Sequence, residues 1–313
     1  MEYLTLVLGQ ICSFMIFIFI GVIAIKKNVF DEKGLQVLSN LIIKITMPIM
    51  LFCNTINGST KKEFIATIPI LLLTILMFVL LFFICYILRF TFKLEGNKAK
   101  VYHASTMFGN IGFMGIPILL AIFPEEGMIY IALFTVIDQL LLWTLGIKLT
   151  SSEENQSGNT LSRLQKLINP STIAIVLGVI GIFTNFKLPA VINESLVKVG
   201  NITSPLAMIY LGGLFCFINI KSSFKQIEFY AAILIKMCVF PVLFYIITGY
   251  IPDLPIDMRF AISILSAMPT MSSVAMLAKA QNSEGEYSAG QVFLTTCMSV
   301  ITLPSVCYLI SIL

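Results

Sequence analysis

The sequence predicts an all-α polytopic membrane protein with ten transmembrane helices, arranged as an inverted repeat of five and five. Three observations predict it. The 313 residues are 58% hydrophobic and only 12% charged, whereas soluble domains carry roughly 25% charged and about 45 to 50% apolar residues. Apolar runs of membrane-crossing length follow one another along the chain, for a mean hydropathy of +0.96. Helix-breaking residues recur at a shift of 157, close to half of 313. A soluble fold of this length would need a charged shell, which 20 Lys+Arg and 16 Asp+Glu cannot provide. An ordinary cytosolic enzyme and a disordered chain are therefore excluded. At about 20 residues per span, ten spans also leave no room for a sizeable soluble domain.

The apolar runs fall at 3–25, 35–56, 64–90, 101–123, 127–149, 169–186, 190–218, 226–250, 257–279 and 287–312. The first opens on Met-Glu-Tyr-Leu, without the basic n-region of a signal peptide, and is expected to be retained as a helix. The second carries Lys44 and Pro48, the third ends at Arg89, and the fourth holds a cluster of glycines. Asp138 lies in the fifth, Pro205 in the seventh, Lys236 and Pro241 in the eighth, and Pro269 in the ninth. No barrel-like alternation is present, so helices are the spanning structure.

Basic residues set the expected orientation. With the N-terminus outside, the inside connections carry Lys26, Lys27, Lys33, Arg89, Lys93, Lys98, Lys100, Lys148, Arg163, Lys166, Lys221, Lys225 and Lys279. The outside holds only Lys61, Lys62, Lys187, Lys198 and Arg259. This asymmetry predicts a multi-pass protein of the cytoplasmic membrane with both termini extracytoplasmic. The longest hydrophilic stretch, near Thr150 to Leu167, reads as a cytoplasmic linker. The expected organisation is a first five-helix repeat at 1–150, the linker at 151–168, and a second, inverted repeat at 169–313.

The repeat rests on two matches at the shift of 157. Thr46-Met47-Pro48-Ile49 aligns with Thr203-Ser204-Pro205-Leu206, and Gly112 falls on Pro269. With an odd number of spans per half, the second copy enters the membrane from the opposite side. Paired broken helices in inverted repeats mark the binding site of many secondary transporters.

Two spans carry the candidate site. In the fourth, Gly109, Asn110, Gly112, Gly115 and Pro117 crowd into nine residues and would cost a helix several kcal/mol in propensity. Broken backbone at membrane depth survives where it is buried in protein or lines a watered cavity. Close packing through Gly109-x-x-Gly112-x-x-Gly115 is the competing account; it explains the glycines but explains Asn110 and Pro117 poorly. In the ninth, Pro269 lacks a backbone donor, and Thr270, Ser272 and Ser273 bring hydroxyls beside it. Half-helix N-termini at two opposed breaks favour an anion, so a carboxylate is the natural ligand. Pro48, Pro117, Pro205 and Pro269 are the expected helix breaks.

Asn110-x-Gly112-x-x-Gly115-x-Pro117, Ala267-Met268-Pro269 and the closing Thr296-Cys297-Met298-Ser299-Val300-Ile301-Thr302-Leu303-Pro304 resemble the auxin efflux carrier family of membrane transporters. The likeness runs through essentially the whole chain. It implies an NhaA-like fold, related to the bile-acid symporters, in which the broken fourth and ninth helices cross. It also implies elevator-type movement, malate or malonate as substrate for bacterial members, and contact between Asn110 and the substrate carboxylate. Where relatives often carry an asparagine or second proline after the ninth-span proline, Ser272, Ser273 and Val274 stand here. The short central loop argues against the plant hormone as substrate.

Among ionisable residues inside spans, Asp138 is the candidate coupling site for a proton or sodium ion, with a structural hydrogen bond as the alternative. Lys236 and Lys44 offset Asp138, attract an anion on its way to the site, or snorkel to the inside interface. His103 is expected at the inside surface as an interface residue more than as a proton relay. Met107, Met114, Met268, Met271 and Met276 read as adaptable packing. The seven cysteines are scattered singly and read as packing residues. No phosphate loop, catalytic triad, zinc spacing or basic tract appears, so enzymatic chemistry, cofactors, bound metal and nucleic acid are not expected. The expected partners are a small organic anion, membrane lipid and a coupling ion, with a homodimer compatible. A sodium- or proton-coupled symporter or exchanger of the related bile-acid and NhaA folds, or a membrane ligand sensor that does not transport, is the rival function. A single buried acid argues against the exchanger, and the missing output domain against the sensor.

Overall fold

The structure, a computed structural model, describes residues 2–57, 60–152 and 170–313. Most of the expected 151–168 linker, and the start of the second half at 169, lie outside these residues. In chain order the helices are α1 (Glu2–Lys26), α2 (Glu32–Asn57), α3 (Lys61–Ala66), α4 (Pro69–Thr91), α5 (Gly96–Met107) and α6 (Ile111–Ile122). They continue with α7 (Gly127–Thr150), α8 (Pro170–Thr184), α9 (Ala190–Asn201), α10 (Thr203–Phe215) and α11 (Ile220–Ser223). The last are α12 (Ile227–Thr248), α13 (Ile256–Ser266), α14 (Ser272–Ala280) and α15 (Gly285–Ser311). No strand forms among the described residues; the only β-type pairing there is one isolated bridge.

Six helices, α1, α2, α4, α7, α12 and α15, are long and apolar enough to cross a membrane. The other apolar runs hold shorter pieces. The fourth divides into α5 and α6, the seventh into α9 and α10, and the ninth into α13 and α14; α8 is a single helix of 15 residues. Outward faces are apolar, as lipid requires. Along α4, Phe83, Ile87 and Phe90 lie on one side and are 59%, 61% and 80% exposed, a stripe that water would penalise and hydrocarbon does not. The core between helices is apolar as well, with Ile42, Leu119, Phe134, Leu211 and Phe244 buried in one continuous cluster.

Prolines act here differently from the sequence expectation. Pro48 and Pro117 do not interrupt their helices. Each follows a π turn, Ile42–Thr46 and Ile111–Gly115, and Pro241 likewise follows Ile233–Val239. A proline ring clashes with the carbonyl four residues back and offers no N–H; widening the turn by one residue relieves both, so the helix continues. Pro205 stands in the first turn of α10, where a missing N–H costs nothing. Of the four, only Pro269 lies in unwound chain.

The packing has a reciprocal pattern. α1 lies along α10, and α8 lies along the C-terminal half of α2; α1 also meets α15, and α8 meets α7. Glycine makes the first contact close. A Cβ on Gly21 would strike the Ile209 carbonyl, and one on Gly212 the Ile18 carbonyl, so the α1 and α10 backbones approach as small-residue membrane interfaces allow. α10 also reaches the π turn of α6, where the Ser204 hydroxyl donates to the Phe113 carbonyl at 2.6 Å.

Candidate functional site

α5 stops at Met107 because Phe108 turns extended (φ −86°, ψ 121°) and Asn110 adopts φ −77°, ψ 63° before α6 starts. α13 stops at Ser266 for a related reason: Pro269 cannot donate, and a residue preceding proline is pushed away from helical geometry, which here affects Met268. The two unwound segments lie side by side. Gly109 and Thr270 form an antiparallel bridge. The Asn110 N–H donates to the Pro269 carbonyl at 2.7 Å, and the Met271 N–H donates to the Phe108 carbonyl at 3.0 Å. The Thr270 N–H donates to the Thr295 hydroxyl on α15 at 3.1 Å. Backbone groups freed by one break are thus paired by the other, which resolves the cost of unwinding at this depth.

The side chains are less complete. Asn110 is 1% exposed, and neither its Nδ2 nor its Oδ1 has a partner. The Ser272 hydroxyl, in the first turn of α14, is equally buried and unpaired. Ser273 and Thr270 are buried next to it. Buried polar side chains are normally satisfied, so these unpaired groups at two helix starts stand out and make the junction the candidate site.

The glycines separate into two kinds. A Cβ on Gly109 would stand 3.2 Å from the Met268 Cβ and 3.4 Å from the Lys236 Nζ, and one on Gly115 would stand 3.1 Å from Leu265. These two let the fourth and ninth runs approach. Gly112 has only Met47 at 3.7 Å, an ordinary contact. The packing account therefore covers two of the three.

Asp138 on α7 is 1% exposed; its Oδ2 accepts from Gln139 Nε2 at 3.1 Å, while Oδ1 is unpaired. Lys236 is 3% exposed, and its ammonium donates to the Met268 carbonyl, so it does not snorkel. Lys44 is exposed on α2 and takes no part. His103 departs from expectation: it is 1% exposed, its ring centroid 4.7 Å from that of Phe82 with the two rings tilted by 52°, and both ring nitrogens are unpaired. Its position near the end of an apolar run suggested an interface, but α4 and the surrounding helices enclose it.

Other polar residues escaped the sequence reading. Glu228, at the start of α12, accepts from Lys98 Nζ and from the Tyr287 hydroxyl, each at 2.9 Å, and Tyr102 donates to its carbonyl at 2.9 Å. Beside this network lies a polar cavity of about 310 Å³ lined by Lys98, Ser222, Gln226 and Tyr287 among others. Further in, the Ser105 and Ser288 hydroxyls meet at 2.8 Å, and Gln291 donates to Thr106 at 2.9 Å, joining α5 to α15. Thr46 and Thr203 each bury an unpaired hydroxyl. The 157 shift was the only signal that could have singled out this last pair.

A family model described as membrane transport protein matches residues 6–307. An uncharacterized transporter of Methanocaldococcus jannaschii is 25% identical over 305 residues, covering 92% of this chain and 94% of the relative. An uncharacterized transporter of Methanothermobacter thermautotrophicus is 22% identical over 299 residues, with coverages of 94% and 95%. A protein of Rhizobium meliloti named "Putative malonate transporter" is 22% identical over 313 residues, with coverages of 96% and 95%.

Proposed function

Because the chain belongs to the membrane transport protein family, that of the auxin efflux carriers, we propose that it is a secondary transporter of a small organic anion, with malonate or malate as candidate cargo, held at the junction of the two breaks. The observation that carries this reading is the Asn110 amide, buried and without a partner. An unpaired group at that depth costs roughly 1–3 kcal/mol, and a carboxylate accepting from Nδ2 removes the donor's share of that cost. The starts of α6 and α14 add partial positive charge, the Ser272 hydroxyl adds a donor, and Gly109, Gly112, Pro269, Thr270 and Ser273 shape the surroundings. The name of the Rhizobium meliloti relative supports malonate as the first candidate.

The architecture belonging to this reading is two inverted five-helix repeats at 1–150 and 169–313, working by elevator-type alternating access in the cytoplasmic membrane with both termini outside. The reciprocal packing supports it: exchanging the halves turns the α1–α10 contact into the α8–α2 contact, and α1–α15 into α8–α7. Asp138, with one carboxylate oxygen unpaired, is the coupling group for a proton or sodium ion.

Labelled malonate and malate uptake into proteoliposomes tests the reading. Asn110→Ala should cut uptake at least about tenfold, the loss of one hydrogen bond to a charged group, in protein that remains folded. Undiminished affinity and flux in that variant would remove Asn110 from the site. Binding without accumulation in the unaltered protein would favour a sensor instead.

A further inference from the structure

Helix C-termini gather at the junction as well as helix N-termini. α5 ends at Met107 and α13 at Ser266, and the last carbonyls of a helix carry partial negative charge and lack intrahelical partners. Two such ends converging make a place for a cation. The Phe108 and Pro269 carbonyls are taken by the backbone bonds between the breaks. The Met268 carbonyl is taken by Lys236, whose ammonium arrives from the π turn of α12 and lies 3.4 Å from where a Gly109 Cβ would be.

That ammonium is buried at 3% exposure. The ionisable groups acting on it are the Asp138 carboxylate and the Cys85 thiol, and no direct ion pair joins it to Asp138. A buried charge without a close counter-charge is expensive. Its position beside Gly109, the residue before Asn110, whose side-chain amide has no partner, gives it a use.

We propose that Lys236 is the resident cation of the junction: its ammonium fills the place at the two helix C-termini that a sodium ion would otherwise take, and supplies the positive charge against which a carboxylate at Asn110 binds. The carboxylate half of this inference rests on the proposed function; the sodium half does not. Binding and transport of the anion then need no sodium, which leaves the proton as the ion for Asp138 to couple. Removing the ammonium both weakens the anion and opens a vacancy for sodium at the freed Met268 carbonyl.

The test uses the full chain in detergent and in proteoliposomes, comparing sodium chloride with N-methyl-D-glucamine chloride at equal ionic strength. In the unaltered protein, thermal stability and malonate uptake should be the same in both salts. Lys236→Gln should bind malonate at least about tenfold more weakly and should gain thermal stability in sodium, while Lys236→Arg should retain binding and stay indifferent to sodium. A requirement for sodium in the unaltered protein, or full malonate affinity in Lys236→Gln, overturns the proposal. Should the Gln variant fail to fold, the unaltered protein still decides through its response to sodium. If the unaltered protein binds neither malonate nor malate, the cargo assignment fails on its own. Sodium-induced stabilisation of Lys236→Gln then decides the role of Lys236, its presence supporting the proposal and its absence overturning it.

Discussion

The Asn110 N–H and the Pro269 carbonyl, 159 positions apart in the numbering, are joined by a 2.7 Å hydrogen bond. That bond exists because neither residue sits in a helix. Pro269→Ala restores a donor to the ninth run, and an alanine favours helix over proline by about 3 kcal/mol. α13 should then extend toward α14 at the expense of the two inter-break bonds. Uptake should fall at least about tenfold while the thermal midpoint holds or rises, as differential scanning fluorimetry beside a flux assay would record. Equal losses of stability and flux would mean that Pro269 serves folding alone.

Gly109 and Gly112 should respond unequally to one methyl group. The first meets Met268 and the Lys236 ammonium at 3.2 and 3.4 Å, the second only Met47 at 3.7 Å. Gly109→Ala should destabilise by about 1–3 kcal/mol through overpacking and lose transport, whereas Gly112→Ala should change stability by less than about 1 kcal/mol, within the cost of a tolerated swap. Denaturation midpoints of the two variants check the order.

The α1–α10 contact offers a sharper contrast. Gly21→Ala and Gly212→Ala press a methyl against backbone carbonyls that cannot rotate away, while nothing lies within 4 Å of a Cβ on Gly9. The first two variants should express poorly or melt well below the parent. Gly9→Ala should match the parent or gain up to about 1 kcal/mol from helix propensity. Fluorescence size-exclusion profiles after heating would rank them.

Asp138→Asn preserves shape and removes charge. Malonate affinity should stay within about threefold, the carboxylate being absent from the anion-binding set, while uptake should cease to respond to an imposed ion gradient. A variant that still follows the gradient leaves Asp138 with only its bond to Gln139.

Much of this molecule could be read from spacing and composition. The six long apolar helices and the unwound stretches around Asn110 and Pro269 were legible because glycine and proline act locally, on their own turn of chain. The prolines of the second and fourth runs misled for a related reason: a π turn absorbs a proline without ending the helix, and no residue type announces that choice. The burial of His103 and the meeting of Lys98, Glu228 and Tyr287 were out of reach. Those partners lie on different helices, brought together by packing that no window of sequence contains.

The antiparallel bridge between the breaks also has a kinematic consequence. Two backbone hydrogen bonds and the bridge tie α5, α6, α13 and α14 together at their meeting point. The junction acts as a rivet through four half-length rods. In the proposed elevator movement, a displacement of one rod would be passed to the other three, and a ligand lodged at the rivet would travel at the pace of the whole assembly.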